Sequence, residues 1–153
     1  MRRVVVTGIG TINSTGHNVK DSFEAVVNGV CGIDTITLFD ASDFSVKIAG
    51  EVKDFDPTTV MDKKEVKKAD RFIQLGIKAA HEAMIDSGYV TADNKKVDGS
   101  IADRFGIISG SGIGGLSTIE RNSVVCETKG SRKVSPFFIP SSLANMLSGF
   151  ISI

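Results

Sequence analysis

Glycines spaced as G-x-G-x-x-G are the first feature of this chain that could do chemistry. Gly110, Gly112 and Gly115 follow an apolar run and precede a helical pattern. In dinucleotide-binding folds this arrangement lets a pyrophosphate approach backbone N–H groups at a helix N-terminus. That fingerprint also requires an acidic residue about 20 positions further on, and residues 128–153 contain no Asp or Glu. We therefore expect the glycines to serve tight turns and close packing, with NAD binding as the less favoured alternative.

The two cysteines are the candidate nucleophiles. Cys31 lies at the C-terminal end of a predicted helix, whereas a thiolate is stabilised at a helix N-terminus. Cys126 lies in a polar stretch with no histidine near it in sequence. We expect both to be buried or incidental thiols and assign no catalytic residue. The cysteines and the histidines, His17 and His81, show no metal-ligand spacing, so we predict no metal site.

A ridge of positive charge is the third candidate. If its stretch is helical, Lys64, Lys67, Lys68 and Arg71 lie at i, i+3, i+4 and i+7 on one face. Such a ridge in a neutral chain could dock an acidic partner. The alternative is a solvated face with ion pairs worth little. A second basic pair follows further on, Arg132 and Lys133.

The elements that must position these residues alternate between strands and helices. Strand patterns cover residues 4–7, 46–52 and 105–109, of which the first and last read as buried. Asn18 is placed to cap a helix, Pro57 to start a short one, and longer helices are predicted over 70–87 and 116–127. Polar residues 92–104 are typical of a surface connection. This order predicts an α/β layered fold with a partly parallel sheet.

Composition excludes several classes of protein. The chain has 153 residues, 41% of them hydrophobic, which is enough for a core. Its 18 basic and 18 acidic residues balance, so no net field attracts nucleic acid or a membrane. No apolar run approaches the roughly 20 residues of a membrane span, and the N-terminus resembles a strand rather than a signal peptide. Two cysteines fit a reducing cytoplasm.

Several segments together resemble one family, the β-ketoacyl-[acyl carrier protein] synthases. They are residues 3–10 (RVVVTGIG), 39–40 (FD), 49–55 (AGEVKDF), 70–74 (DRFIQ), 83–88 (AMIDSG), 109–115 (SGSGIGG) and 132–140 (RKVSPFFIP). The resemblance covers the whole chain. It implies a thiolase-like layered fold of two related α/β halves, in which residues 1–153 form the larger, incomplete part of the first half.

The resemblance also implies an acyltransferase of cytoplasmic fatty-acid synthesis that works as a homodimer. Its cysteine takes an acyl group from the phosphopantetheine of acyl carrier protein, and the carbanion from decarboxylated malonyl-carrier protein attacks that thioester. The family's Thr-Ala-Cys segment and two histidines are not found here. We therefore expect the 153-residue chain to condense nothing alone. We also expect it to need no cofactor of its own, and its apolar C-terminal segment to make it prone to aggregation by exposing sheet edge and dimer surface. A non-catalytic carrier-binding fragment is the alternative.

Binding positions carry over from the family residue by residue. Its basic docking patch for acyl carrier protein matches Lys64, Lys67, Lys68, Arg132 and Lys133. Ile113 matches the glycine-loop position that gates the acyl pocket, where isoleucine is similar to the longer-chain subtype. Phe138 matches a residue near that pocket at the dimer contact. Ordinary core packing is the alternative for Ile113 and Phe138.

Overall fold

Helices make up most of the regular secondary structure. The computed structural model describes residues 2–93 and 96–153. Its elements are α1 (Val19–Val27), β1 (Asp34–Thr35), β2 (Ile48–Ala49), a 3₁₀ turn (Pro57–Thr59), α2 (Lys63–Val66), α3 (Arg71–Asp86), α4 (Gly99–Ala102), α5 (Leu116–Lys129), a second 3₁₀ turn (Ser131–Lys133), α6 (Phe138–Ser142) and α7 (Met146–Ser152). The two strands are antiparallel, with Asp34 opposite Ala49 and Thr35 opposite Ile48.

Local signals explain where the helices begin. The side chain of Asn18 accepts a hydrogen bond from the Asp21 N–H, which confirms the predicted cap of α1. Asp70 caps α3 in the same way through the Phe72 N–H. The helix expected over 70–87 forms as predicted, and residues 71–84 are all buried or half-buried. The 3₁₀ turn at Pro57 and the helix α5 are confirmed as well.

The core lies where α3 crosses α7. Its buried members are Met61, Ala69, Ile73 and Leu147, and Ile73 is 0% exposed. A side chain at Gly76 would meet the methyl groups of Leu147 at 2.6 Å. Glycine at this crossing therefore lets the two helices approach closely.

The second half of α3 anchors the N-terminal segment. Glu82 accepts the Thr11 N–H through Oε2 at 3.0 Å and the Val19 N–H through Oε1 at 2.8 Å. The Ile9 N–H donates to Asp86 Oδ2 at 2.9 Å. Hydrogen bonds to carboxylates are stronger than those between neutral groups. Two acidic side chains of one helix thus fix the path of the chain before α1.

The strands expected over 4–7 and 105–109 are not formed, although the structure describes all of these residues. The expected burial is also wrong, because Val4 and Val6 are exposed and Ile108 is 100% exposed. A strand exists only where a neighbour completes its ladder of hydrogen bonds, and none does so here among the described residues. The pattern over 46–52 yields only the two residues of β2, so the sheet is antiparallel where a partly parallel one was expected.

A buried carboxylate ties the strand pair together. Glu51, only 9% exposed, accepts hydrogen bonds from the backbone N–H groups of Thr37 and Leu38 at 3.0–3.1 Å and from the Thr37 hydroxyl at 2.7 Å. The Thr37 hydroxyl, aided by the backbone donors, holds the pKa of the Glu51 carboxyl below its ordinary value, against the opposing effect of burial.

The surface connection expected over 92–104 is exposed along nearly its whole described length and contains the short helix α4, which sequence reasoning missed. Residues 94 and 95 of that range lie outside the described residues. Of the helices that the structure describes, none is both long and apolar enough to cross a lipid bilayer.

Candidate functional site

The glycine loop before α5 packs against the C-terminal end of α6. The Gly115 N–H donates to the Ser142 carbonyl at 2.9 Å. Gly114 has a φ of +87°, and a Cβ there would lie 2.4 Å from the same carbonyl. The Gly114 N–H donates to Ser111 Oγ at 3.0 Å. Gly114 and Gly115 therefore serve a turn and a close backbone contact, as expected from the sequence.

The carboxylate that caps α3 also occupies the N-terminus of α5. Asp70 Oδ2 accepts the Thr118 N–H at 2.9 Å and the Thr118 hydroxyl at 2.6 Å. Asp70 is 8% exposed and is the residue that also caps α3. A helix N-terminus that already holds an internal anion does not offer its N–H groups to a pyrophosphate. This contact argues against dinucleotide binding at the glycine loop.

The structure brings together the elements that carry the two predicted acyl-pocket residues. Ile113 directly precedes the close contact at Gly114, and its side chain is 65% exposed. Phe138 is the first residue of α6, the helix against which the loop packs, and it is half-buried. Ser109 and Ser148 link the start of the loop to α7 through their hydroxyls, 2.6 Å apart. The glycine loop, α6 and α7 are therefore linked close to the two predicted acyl-pocket residues.

The basic ridge does not follow one helical face. The helix α2 ends at Val66, and α3 begins only at Arg71. The guanidinium of Arg71 turns inward, donating to the Val52 carbonyl at 3.1 Å and lying 5.0 Å from the Phe55 ring centroid. The prediction that Arg71 shares the ridge is therefore wrong. Asp70 caps α3 with an extended backbone, and that extended residue interrupts the helical spacing.

Lys68 connects the ridge to the segment that leads into α6. Its ammonium lies 2.8 Å from Glu65 Oε1 and 5.7 Å from the Phe137 ring centroid. Its backbone carbonyl accepts the Ser141 hydroxyl at 2.6 Å. Lys68 is half-buried, and its ammonium already interacts with the Glu65 carboxylate and the Phe137 ring of the same chain.

The other cations of the predicted docking patch face solvent. These residues are Lys64, Lys67, Arg132 and Lys133. None of the four makes an ion pair with a residue that the structure describes. Arg132 and Lys133 lie in the 3₁₀ turn that packs on α5, and the buried Asn122 of α5 holds the following segment by accepting the Ser135 N–H at 3.0 Å.

Neither cysteine has the surroundings of a nucleophile. Both thiols are free and exposed, so of the two expectations, buried or incidental thiols, burial is excluded. The Cys31 thiol reaches the carbonyl of Ile33 at 3.8 Å. The ring of His17 packs edge-on against Phe55, with centroids 6.0 Å apart. Across residues 2–93 and 96–153 no group of three or more His, Cys, Asp or Glu side chains is arranged to hold a metal ion.

A separate polar cleft of about 420 Å³ lies between the segment before α1 and the two strands. Asp21, Asp34, Glu51 and Lys53 are among its walls. Lys53 and Asp34 already form an ion pair at 3.0 Å, and Glu51 is engaged with the backbone. None of the predicted docking or acyl-pocket residues lines this cleft, so it does not join the predicted site.

Comparison with known proteins identifies the family. The model for the N-terminal domain of β-ketoacyl synthases matches residues 1–153. The chain belongs to the β-ketoacyl synthase family. The 3-oxoacyl-[acyl-carrier-protein] synthase 2 of Vibrio harveyi is 48% identical over 153 residues, and that of Coxiella burnetii is 45% identical over 152. Each alignment covers 99% of this β-ketoacyl synthase chain, which spans 35% of the length of either relative.

Solved structures confirm the thiolase-like fold of a ketosynthase. The ishigamide ketosynthase/chain length factor aligns with a TM-score of 0.78 at 27% identity, covering 99% of this chain and 36% of its own. A type II PKS ketosynthase, solved in complex with its acyl-carrier protein, aligns with a TM-score of 0.76 at 25% identity, covering 99% and 38%. The match to about a third of each ketosynthase agrees with the expected first half of the fold.

Sequence reasoning missed two residues that organise the site, Asp70 as the partner of α5 and Asn122 as the anchor of the segment after it. Asp70 carried a signal as an Asp before a helical pattern, which predicts a cap for α3. Its contact with Thr118 spans 48 positions, and no local pattern indicates such a pair.

Proposed function

We propose that the complete protein containing this chain is a 3-oxoacyl-[acyl carrier protein] synthase of fatty-acid biosynthesis. In this reaction a cysteine thiolate takes the acyl group from the phosphopantetheine thiol of a carrier protein, which leaves as the free thiol. Malonyl-carrier protein loses carbon dioxide, and the resulting carbanion attacks the acyl thioester and expels the cysteine. The residues described here supply binding rather than the nucleophile, since both cysteines lack a partner for thiolate chemistry.

One observation carries the proposal: Lys68 of the basic patch lies against Phe137, the residue directly before Phe138. Lys68 contacts Phe137 through its ammonium and Ser141 through its carbonyl. A carrier protein is acidic and delivers an apolar chain on a flexible arm, so cations must lie beside the entrance to an acyl pocket. We assign Lys64, Lys67, Lys68, Arg132 and Lys133 to carrier docking. We assign Ile113 and Phe138 to the wall of the acyl pocket.

The docking assignment is tested by reversing exposed charges in the full-length protein. In Lys64→Glu/Lys67→Glu, the KM for acyl-carrier protein should rise about tenfold with kcat nearly unchanged, because rim charges act mainly on association. The rise should shrink in high salt, where exposed charges are screened. Lys20→Glu/Lys47→Glu is the matched control, since both lysines are exposed and lie outside the patch.

Two results would refute the proposal. If the wild-type protein condenses no acyl-carrier protein with malonyl-carrier protein, the activity is wrong. If the control pair raises KM as much as the test pair, the response reports net charge and the docking assignment fails.

We also propose that the complete protein is a homodimer in the cytoplasm and needs no cofactor beyond the phosphopantetheine of its carrier-bound substrates. Sedimentation equilibrium of the full-length protein tests the dimer, and a monomer at micromolar concentration would contradict it. Activity that persists after dialysis against a chelator is expected if no metal takes part.

A further inference from the structure

The helix α5 has no cap of its own. Gly115 stands at the N-cap position and offers no side chain to the free N–H groups of the first turn. Asp70 supplies the missing acceptor from 48 residues away, binding the Thr118 N–H at 2.9 Å and the Thr118 hydroxyl at 2.6 Å. Free N–H groups at a helix N-terminus require such partners. The position of α5 therefore depends on the residue that caps another helix, α3.

The segment before α3 is fixed at two points. Asp70 holds α5, and two residues earlier the Lys68 carbonyl holds α6 through the Ser141 hydroxyl at 2.6 Å. A Cβ at Gly115 would lie only 3.2 Å from the Asp70 Cβ, so the glycine loop lies directly on this segment. If Asp70 moves, the backbone of the glycine loop must therefore move as well.

We infer that Asp70 is a positioning residue that sets the glycine loop, and through Ile113 the acyl-chain preference of the enzyme. The inference rests on the proposed function. Ile113 lies three residues before the first residue of α5, and its side chain is largely exposed. Its place is set by the loop backbone rather than by packing. The contact with Asp70 fixes where that backbone enters the helix.

The test uses Thr118 in the full-length protein. Thr118→Val removes the hydroxyl that donates to Asp70 and keeps the size of the side chain, whereas Thr118→Ser keeps the hydroxyl. We measure kcat/KM for a long and a short acyl-carrier protein. The ratio of the two values should change about fivefold or more in Thr118→Val and in Asp70→Asn, and should stay within about twofold of wild type in Thr118→Ser.

Hydrogen exchange supplies a readout that does not depend on activity. Exchange at the amides of residues 110–118 should rise in Thr118→Val and not in Thr118→Ser, because the first turn of α5 opens locally. Unchanged exchange there, or a rise spread over the whole protein, would overturn the positioning role. Equal loss of kcat/KM for both chain lengths, or an unchanged ratio, would overturn the role in chain preference.

The two measurements separate this inference from the proposed function. A wild-type protein that condenses no substrate defeats the proposed function and with it the role in chain preference. The exchange data then still decide whether Asp70 holds the loop.

Discussion

Replacing Gly115 by alanine should show that this glycine is required for packing. A Cβ at this position would lie 2.5 Å from the Ser141 carbonyl oxygen and 2.8 Å from the Ser142 Cα. Both are backbone atoms, so α5 and α6 must move apart by a large part of an ångström. The same movement stretches the 2.9 Å hydrogen bond between the Gly115 N–H and the Ser142 carbonyl. Overpacking together with a weakened hydrogen bond should lower the free energy of unfolding by about 2–4 kcal/mol.

Gly112 is the matched control because it belongs to the same G-x-G-x-x-G motif. No described atom lies within 4 Å of a Cβ placed there, and its φ is not in the left-handed region. Gly112→Ala should change the free energy of unfolding by less than about 0.5 kcal/mol. Both variants add one methyl group to a glycine of the same motif, but only the methyl group at residue 115 would meet neighbouring backbone atoms.

Urea titration followed by circular dichroism at 222 nm measures both variants, since the helices dominate that signal. The dependence of the free energy of unfolding on urea concentration should be the same in both variants as in wild type. A shift of the unfolding midpoint then measures a change in stability. Equal destabilisation at Gly112 and Gly115, or none at Gly115, would refute the packing argument.

Two further predictions concern the N-terminal segment and the strand pair. Gly10→Ala should lower the free energy of unfolding by at least about 2 kcal/mol, because its Cβ would lie 2.0 Å from the Ala79 carbonyl oxygen. Gly99→Ala is the control, since a Cβ there would meet no atom within 4 Å. It should leave the free energy of unfolding unchanged or raise it in the same urea titration. In the folded protein, the hydrogen bond from Thr37 lowers the pKa of the Glu51 carboxyl. The ionised carboxylate therefore contributes fully to stability above the unfolded-state pKa of about 4.3. This contribution is lost as the pH falls through the folded-state pKa. Wild type should therefore lose stability more steeply than Glu51→Gln below about pH 5 in thermal melts, and parallel pH profiles would contradict this.

Helices could be predicted because their signals are local. Asn18 and Asp70 each bond an N–H two or three residues ahead, and apolar spacing over 70–87 repeats within one helix. All of these interactions lie within a few residues of one another, so the sequence contains both partners. The predicted bounds of α3 and α5 accordingly agree with the structure to within two residues.

Strands and the basic ridge could not be predicted in the same way. Residues 4–7 have the β-branched composition of a strand, yet pairing depends on a neighbour that sequence periodicity does not reveal. The ridge was expected on one helix, but α2 ends at Val66, the extended backbone of Asp70 interrupts the helical spacing, and Arg71 turns inward. Tertiary packing outweighed the local spacing at this point.

The sequence alone determined the family, the cap of α1 at Asn18 and the residues that match a carrier-docking patch and an acyl pocket. These follow from residue types in a linear order. Only the tertiary structure decided that Asp70 caps α5 through Thr118, that Lys68 reaches Phe137 and Ser141, and that the glycine loop rests on α6. Each of those contacts joins residues between 27 and 73 positions apart. Their energy depends on distances that exist only once the helices have packed.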